Sequence, residues 1–169
     1  MKLDDERESL PLRFEDVFRR HAPYVGALAL KLLARPEDAD DVVQDVFIQV
    51  HRDLGRLRDP AALRPWLRRI TVRQARRWLR TRWVRRRAGE ADLALYMNVV
   101  DASVSPEERA EIARIHRLLG RLQRDEGLIW ILRFAEGETL ASIASLLGAS
   151  VSTVQRRLRA AEAVVGALR

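Results

Sequence analysis

Residues 139–158 read TLASIASLLGASVSTVQRRL, a stretch whose apolar spacing has the form of a helix-turn-helix. Thr139 is suited to cap a short helix with Leu140, Ile143, Ala144 and Leu147 inward. Gly148 supplies the turn. Ser150 then opens a second helix packed through Val151, Val154 and Leu158. That leaves Ser152, Thr153, Gln155, Arg156 and Arg159 outward. Short hydroxyls, an amide and guanidinium groups near a helix N-terminus suit base edges in a major groove, and Arg157 suits a phosphate. An ordinary helical hairpin would share the spacing, but no acid occurs from Thr139 to Ala161, which favours a polyanionic partner.

Outward from this motif the periodicity stays helical, with no sustained period-two stretch to suggest a sheet. Upstream, Leu128, Ile131 and Leu132 form a stripe that Gly137 should stop. Ile112, Ile115, Leu119 and Leu122 form another, opened by Ser105-Pro106-Glu107-Glu108, a cap with proline at the first position and acids at the positive dipole end. From Ala88 to Ser105 the period fades, and the segment carries three acids and no Lys or Arg.

In the N-terminal half, Phe14, Val17 and Phe18 begin a stripe, and Pro23 fits the first turn of a second helix with Val25, Leu28 and Leu32, together a bent pair. Pro36 opens a helix in which Ala39, Val42, Val43, Val46, Phe47, Val50 and Leu54 keep i, i+3, i+4 spacing to Gly55. A polar loop over 56–60 precedes a helix with Leu63, Trp66, Leu67 and Ile70 inward. The fold class is therefore all-α: two small helical domains joined by a flexible linker, the C-terminal one a helix-turn-helix. The expected division is a disordered tail at 1–11, a helical domain at 12–87, a linker at 88–105 and a second domain at 106–169.

Composition narrows the function. The chain has 169 residues, 47% of them hydrophobic, a formal charge of +7 and no cysteine, with a pI of about 11.0. Thiolate metal sites and disulfides are excluded, and His21, His51 and His116 stand too far apart to suggest a local metal pair, so no metal or cofactor is expected. The acidic start MKLDDERESL lacks an apolar core, and no run of about 18 uncharged apolar residues occurs, which points to a cytoplasmic chain without membrane insertion.

The positive charge is concentrated. Between Arg64 and Arg87 stand eleven arginines and no acid. Arg69, Arg73, Arg76 and Arg80 step by four, three and four, so on a helix they form a ridge able to follow a phosphate backbone. Trp66, Trp78 and Trp83 are interleaved with them, either as core residues or as platforms on which unpaired bases stack. By contrast, Asp38, Asp41 and Asp45 line the outer face of the helix that Pro36 opens. Such a face would repel DNA, so it is either simply solvated or a docking surface for a basic protein.

The order DADDVVQDVF at 38–47, WLRRI at 66–70, an arginine run, a linker and a C-terminal helix-turn-helix resembles an extracytoplasmic-function sigma factor of the sigma-70 family over roughly residues 12–168. The resemblance implies a non-enzymatic subunit that binds core RNA polymerase, at its β′ clamp helices and β subunit, and directs it to promoter DNA. Asp38, Asp41, Gln44 and Asp45 would dock on the clamp helices. The loop at about 56–64, with Arg56, Arg58 and Arg64, would capture a flipped base of the −10 element beside Trp66 and the arginine ridge. Ser152 to Arg159 would read the −35 element as duplex. An anti-sigma protein is a further implied partner. Arg73, Arg77 and His51 depart from the family pattern, which leaves the promoter sequence open, and Ser142 replaces a usual Glu and so removes a capping box. The alternatives are an autonomous helix-turn-helix repressor or activator, and a recombinase or nuclease for which no catalytic set is seen.

Overall fold

The computed structural model describes residues 12–33, 36–87, 122 and 125–166. The tail expected at 1–11, the linker at 88–105 and the helix expected from 106 lie outside the described residues. Among the described residues every regular element is helical.

Helix α1, Phe14–Leu33, carries Glu15 and Asp16 in its first turn and Lys31 in its last, matching the helix dipole at both ends. It is one continuous helix, which corrects the bent pair expected at Pro23. Pro23 lies inside it on the exposed side, where water can serve the carbonyl that proline leaves without a donor. Val17, Val25, Leu28, Ala29, Leu32 and Leu33 form its buried stripe.

Helix α2, Pro36–Asp53, buries Ala39, Val42, Val46, Phe47 and Val50 against α1. Its last turn tightens into a 3-10 turn at Leu54–Arg56, and a second follows at Pro60–Ala62. The Asp59 carboxylate caps the second, accepting from the Ala61 N–H at 2.9 Å. Helix α3, Leu63–Arg87, crosses both earlier helices and buries Leu63, Leu67, Ile70, Val72 and Ala75. At 25 residues it is roughly 38 Å long. The buried Thr71 hydroxyl is satisfied by donating to the Leu67 carbonyl at 2.8 Å, as a buried polar group requires. Trp66 and Trp78 are half-buried and pack on the core, in keeping with the core alternative for both.

The C-terminal group comprises α4, Glu126–Phe134, α5, Leu140–Leu147, and α6, Val151–Gly166. Its caps are those expected. Thr139 Oγ1 accepts from the Ser142 N–H at 3.1 Å, and Ser150 Oγ from the Thr153 N–H at 3.2 Å. Gly148 takes φ 58°, the left-handed conformation that closes α5. Helix α4 ends at Phe134, three residues before the expected stop. Gly137, at φ 67°, then turns the chain so that the Glu138 N–H reaches back to the Leu132 carbonyl at 2.9 Å.

Leu128, Ile129, Ile131, Leu132, Ile143, Ala144, Leu147, Val154, Leu158 and Ala161 fill this core. Val151, expected inward, is 46% exposed. It is the first residue of α6, so no preceding turn brings a neighbour over it. The two groups also touch directly: α5 packs on α3, and α4 approaches α1. A flexible linker alone did not anticipate that contact.

Candidate nucleic-acid interface

The α3 arginines do not share one environment. Arg69, Arg73 and Arg80 are exposed, as are Arg56, Arg58 and Arg64 before them. Arg64 lies over the Tyr24 ring at 4.7 Å, a cation–π contact that steadies it against α1. Burial, with the positive charges of Arg20 and Arg64, holds the nearby His21 below its ordinary pKa, so that it is neutral at neutral pH.

Arg76, the fourth member of the ridge, is turned into the C-terminal group. Its Nε donates to Asp125 Oδ1 at 3.0 Å, its Nη2 to Asp125 Oδ2 at 2.7 Å and its Nη1 to the Leu147 carbonyl at 2.6 Å. The Leu147 carbonyl is one of the orphan acceptors at the end of α5, so Arg76 caps the first helix of the helix-turn-helix. Arg157 of α6 donates to the same Asp125 Oδ2. Asp125 is only 5% exposed. Burial alone would raise its pKa, but hydrogen bonding and charge from Arg76, followed by Arg157, outweigh it and hold the carboxyl below its ordinary value.

On α6, Ser152, Gln155, Arg156 and Arg159 are exposed along one side and Thr153 is half-buried. Ser150 Oγ lies 3.0 Å from Ser152 Oγ and 2.9 Å from Thr153 Oγ1, so the two hydroxyls are held at the N-terminus of the helix. The five residues expected to reach base edges thus remain together on one helix. Arg157, expected on a phosphate, faces Asp125 instead.

The acidic helix is also divided. Asp41 and Gln44 are exposed, and Asp45 is partly so, with Arg77 Nη2 at 3.4 Å. Asp38 is 7% exposed, which corrects its place on the outer face. It shares the i, i+4, i+8 row of Val42 and Val46 and is carried inward with them. Next to Gln44, Phe14 and Phe18 of α1 stack edgewise on Phe47, with ring centroids 6.4 and 4.8 Å apart. His51 joins this cluster, meeting Phe14 at 5.1 Å in a T-shaped contact.

The sequence reading missed Asp125, Glu136 and Glu138. Their signal was position: with Glu126 they are the acids that stand just before a stretch without acids.

Helical elements in two groups, one with a helix of exposed arginines and the other with a capped helix-turn-helix, have the make-up of a helix-turn-helix DNA-binding protein. Residues 17–85 match the model for Sigma-70 region 2, and residues 112–163 match that for Sigma-70, region 4. The RNA polymerase sigma factor CnrH of Cupriavidus metallidurans is 31% identical over 163 residues, 92% of this chain and 85% of that protein. The probable RNA polymerase sigma factor RfaY of Xanthomonas campestris is 38% identical over 146 residues, 83% of this chain but 36% of that protein. The chain therefore spans only about a third of RfaY. In fold it resembles the sigma factor RpoE of Bartonella quintana, solved with the anti-sigma factor NepR, at a TM-score of 0.64 and 19% identity over 92% of this chain and 98% of that one. The chain belongs to the sigma-70 family of RNA polymerase sigma factors, in its extracytoplasmic-function group. Among the described residues no helix is long and apolar enough to cross a membrane.

Proposed function

We propose that this sigma factor acts in the cytoplasm, by binding rather than by catalysis, and divides promoter recognition between its two halves. Asp41, Gln44 and Asp45 dock on the β′ clamp helices of core polymerase, and the C-terminal group meets the β subunit. Asp38, being buried, serves as a first-turn helix acid and not as a contact. Arg56, Arg58 and Arg64 line the capture of a flipped −10 base. Arg69, Arg73 and Arg80 follow the melted strand, joined by Arg76 once it leaves Asp125, while Trp66 stays packed on the core beneath them; every phosphate neutralised adds salt-dependent affinity. Ser152, Thr153, Gln155, Arg156 and Arg159 read the −35 duplex, and Arg157 adds a phosphate contact once it leaves Asp125. An anti-sigma protein is a fitting regulator, since RpoE of Bartonella quintana was solved with one.

The observation that carries this reading is an acidic, exposed patch on α2 in the same chain as two basic surfaces. An autonomous DNA binder has no use for the acids, whereas a polymerase subunit needs them for docking. Run-off transcription with bacterial core polymerase tests it. The chain should give transcripts only when core is present, and should bind promoter duplex poorly alone. Tight stand-alone binding with no transcript from any genomic promoter would overturn it.

A further inference from the structure

Among the described residues, ion pairs of one polarity join the two halves of the chain: Lys31, Arg68 and Arg76 of the N-terminal group face acceptors of the C-terminal one. Lys31 Nζ lies 2.8 Å from Glu136 Oε1, and Arg68 Nη2 lies 3.3 Å from Glu136 Oε2 and 2.8 Å from Glu138 Oε1. Arg76 grips Asp125 with two donors and the Leu147 carbonyl with a third. Lys31 is exposed, but the other partners are shielded. Glu136 and Glu138 are 12% and 16% exposed, and Arg68 and Arg76 are 22% and 24% exposed. Ion pairs so shielded are screened less by salt than open ones.

The acceptors are placed where local structure holds them rigid. Asp125 sits at the start of α4, Glu136 and Glu138 flank the left-handed Gly137, and Leu147 ends α5. Paired carboxylate oxygens offer a guanidinium the bidentate geometry that a phosphate also offers. Asp125 further holds Arg157 of the helix-turn-helix, so one buried carboxylate ties up an arginine from each surface assigned to DNA.

We propose that the free protein closes on itself through an ionic latch, in which Asp125 stands in for DNA phosphates on Arg76 and Arg157 while Glu136 and Glu138 hold the halves together through Arg68 and Lys31. This rests on the DNA roles given to α3 and α6 under the proposed function. DNA binding by the α3 ridge and separation of the two halves are then one coupled event. The carboxylates occupy Arg76 and Arg157 until a polyanion or the polymerase displaces them. Arg69, Arg73 and Arg80 stay open, free to make the first contact with the displacing strand.

The chain has no cysteine, so Arg19→Cys and Glu162→Cys, at exposed positions of α1 and α6, place two dyes on the full chain. Energy transfer between them reports closure. In the variant Asp125→Asn/Glu136→Gln/Glu138→Gln the transfer should drop. The affinity of the free protein for a 30-base-pair duplex, a probe length of roughly three helical turns, should rise about fivefold or more, the usual lower size of a coupling between sites. Unchanged transfer and unchanged affinity in a variant with the native far-ultraviolet helical signal would overturn the latch.

Should the variant lose that signal, the dye-labelled unsubstituted chain decides. Its transfer must fall as the 30-base-pair duplex is titrated in to saturation, with helicity retained, because binding of the strand and separation of the halves are one coupled event. Transfer that ignores saturating duplex overturns the proposal. Neither distance measurement uses core polymerase. A failed run-off assay therefore strikes the promoter reading, and an unmoved distance strikes the latch alone.

Discussion

Arg76 and Asp125, 49 residues apart in the chain, form a bidentate pair at 3.0 and 2.7 Å that joins the arginine helix to the helix-turn-helix group. Arg76 alone supplies a donor to each oxygen, and Arg157 adds a second donor on Oδ2. The arrangement makes one buried acid a structural hub for two otherwise separate helical groups. Removing it strands two cations that are largely shielded from water.

The acid's titration follows from that geometry. Its folded pKa lies below the ordinary value of 3.8, so the stabilisation is complete above that value and is lost as the pH falls through the lowered one. Between pH 8 and 5 this group contributes no pH dependence. Thermal unfolding followed by circular dichroism should show an acid-side loss that Asp125→Asn removes. The same variant should cost about 1.5–3 kcal/mol at neutral pH, the size of hydrogen bonds to a charged group. An acid limb identical in the variant would mean that Asp125 does not carry it.

The turn and caps of the helix-turn-helix should each carry a measurable share of its stability. Thr139→Ala and Ser150→Ala each remove a side chain that accepts from an orphan N–H, at about 1 kcal/mol apiece. At Gly148 a Cβ would meet nothing within 4 Å, so Gly148→Ala tests backbone strain alone. It should cost about 1–2 kcal/mol, and Gly148→Asn less. Urea midpoints of the three alanine variants give the ranking, and a neutral Gly148→Ala would contradict the left-handed turn.

Those caps were legible because their chemistry is local. Thr139, Gly148 and Ser150 each act within three residues, so spacing alone predicts them. What was missed depends on surroundings. Pro23 looked like a helix start because sequence does not say whether the carbonyl it deprives of a donor faces water. Asp38 looked like part of an acidic face, yet its position in the row of Val42 and Val46 places it inside. Val151 fitted the apolar spacing but, at the first position of its helix, gains little cover. The pairing of Arg68 and Arg76 with Glu136, Glu138 and Asp125 spans the chain, and helical periodicity holds no information on which acid an arginine will find.

Selectivity at the −35 element should reside in two exposed side chains of α6. Gln155 and Arg156 are both exposed near its N-terminal end, where a helix in the major groove presents its side chains to bases. Gln155→Ala and Arg156→Ala should each relax preference at one or two base pairs, by about 1–3 kcal/mol for a lost bidentate contact. Affinity for core polymerase should stay as it was. Selection from a randomised −35 duplex pool, run with reconstituted holoenzyme, gives the preference directly. An unaltered consensus would move recognition to another face of α6.

Docking should depend on charge at Asp41 more than at Asp45. Asp41 is fully on the exposed side of α2, whereas Asp45 is already shared with Arg77 at 3.4 Å, which neutralises part of its attraction for a basic partner. Asp41→Arg places like charge against the clamp helices, and juxtaposed like charges at an interface cost several kcal/mol. Affinity for core should therefore fall by roughly a hundredfold, about 2.8 kcal/mol, with the helical signal intact. Asp45→Arg adds repulsion from Arg77 within the protein itself, so its loss of binding should come with a lower melting temperature. Arg77→Ala, which frees Asp45, should leave docking unharmed or strengthen it. Co-purification of each variant with core polymerase, beside its melting curve, separates the two effects, and equal retention of all three variants on core would remove α2 from the docking face.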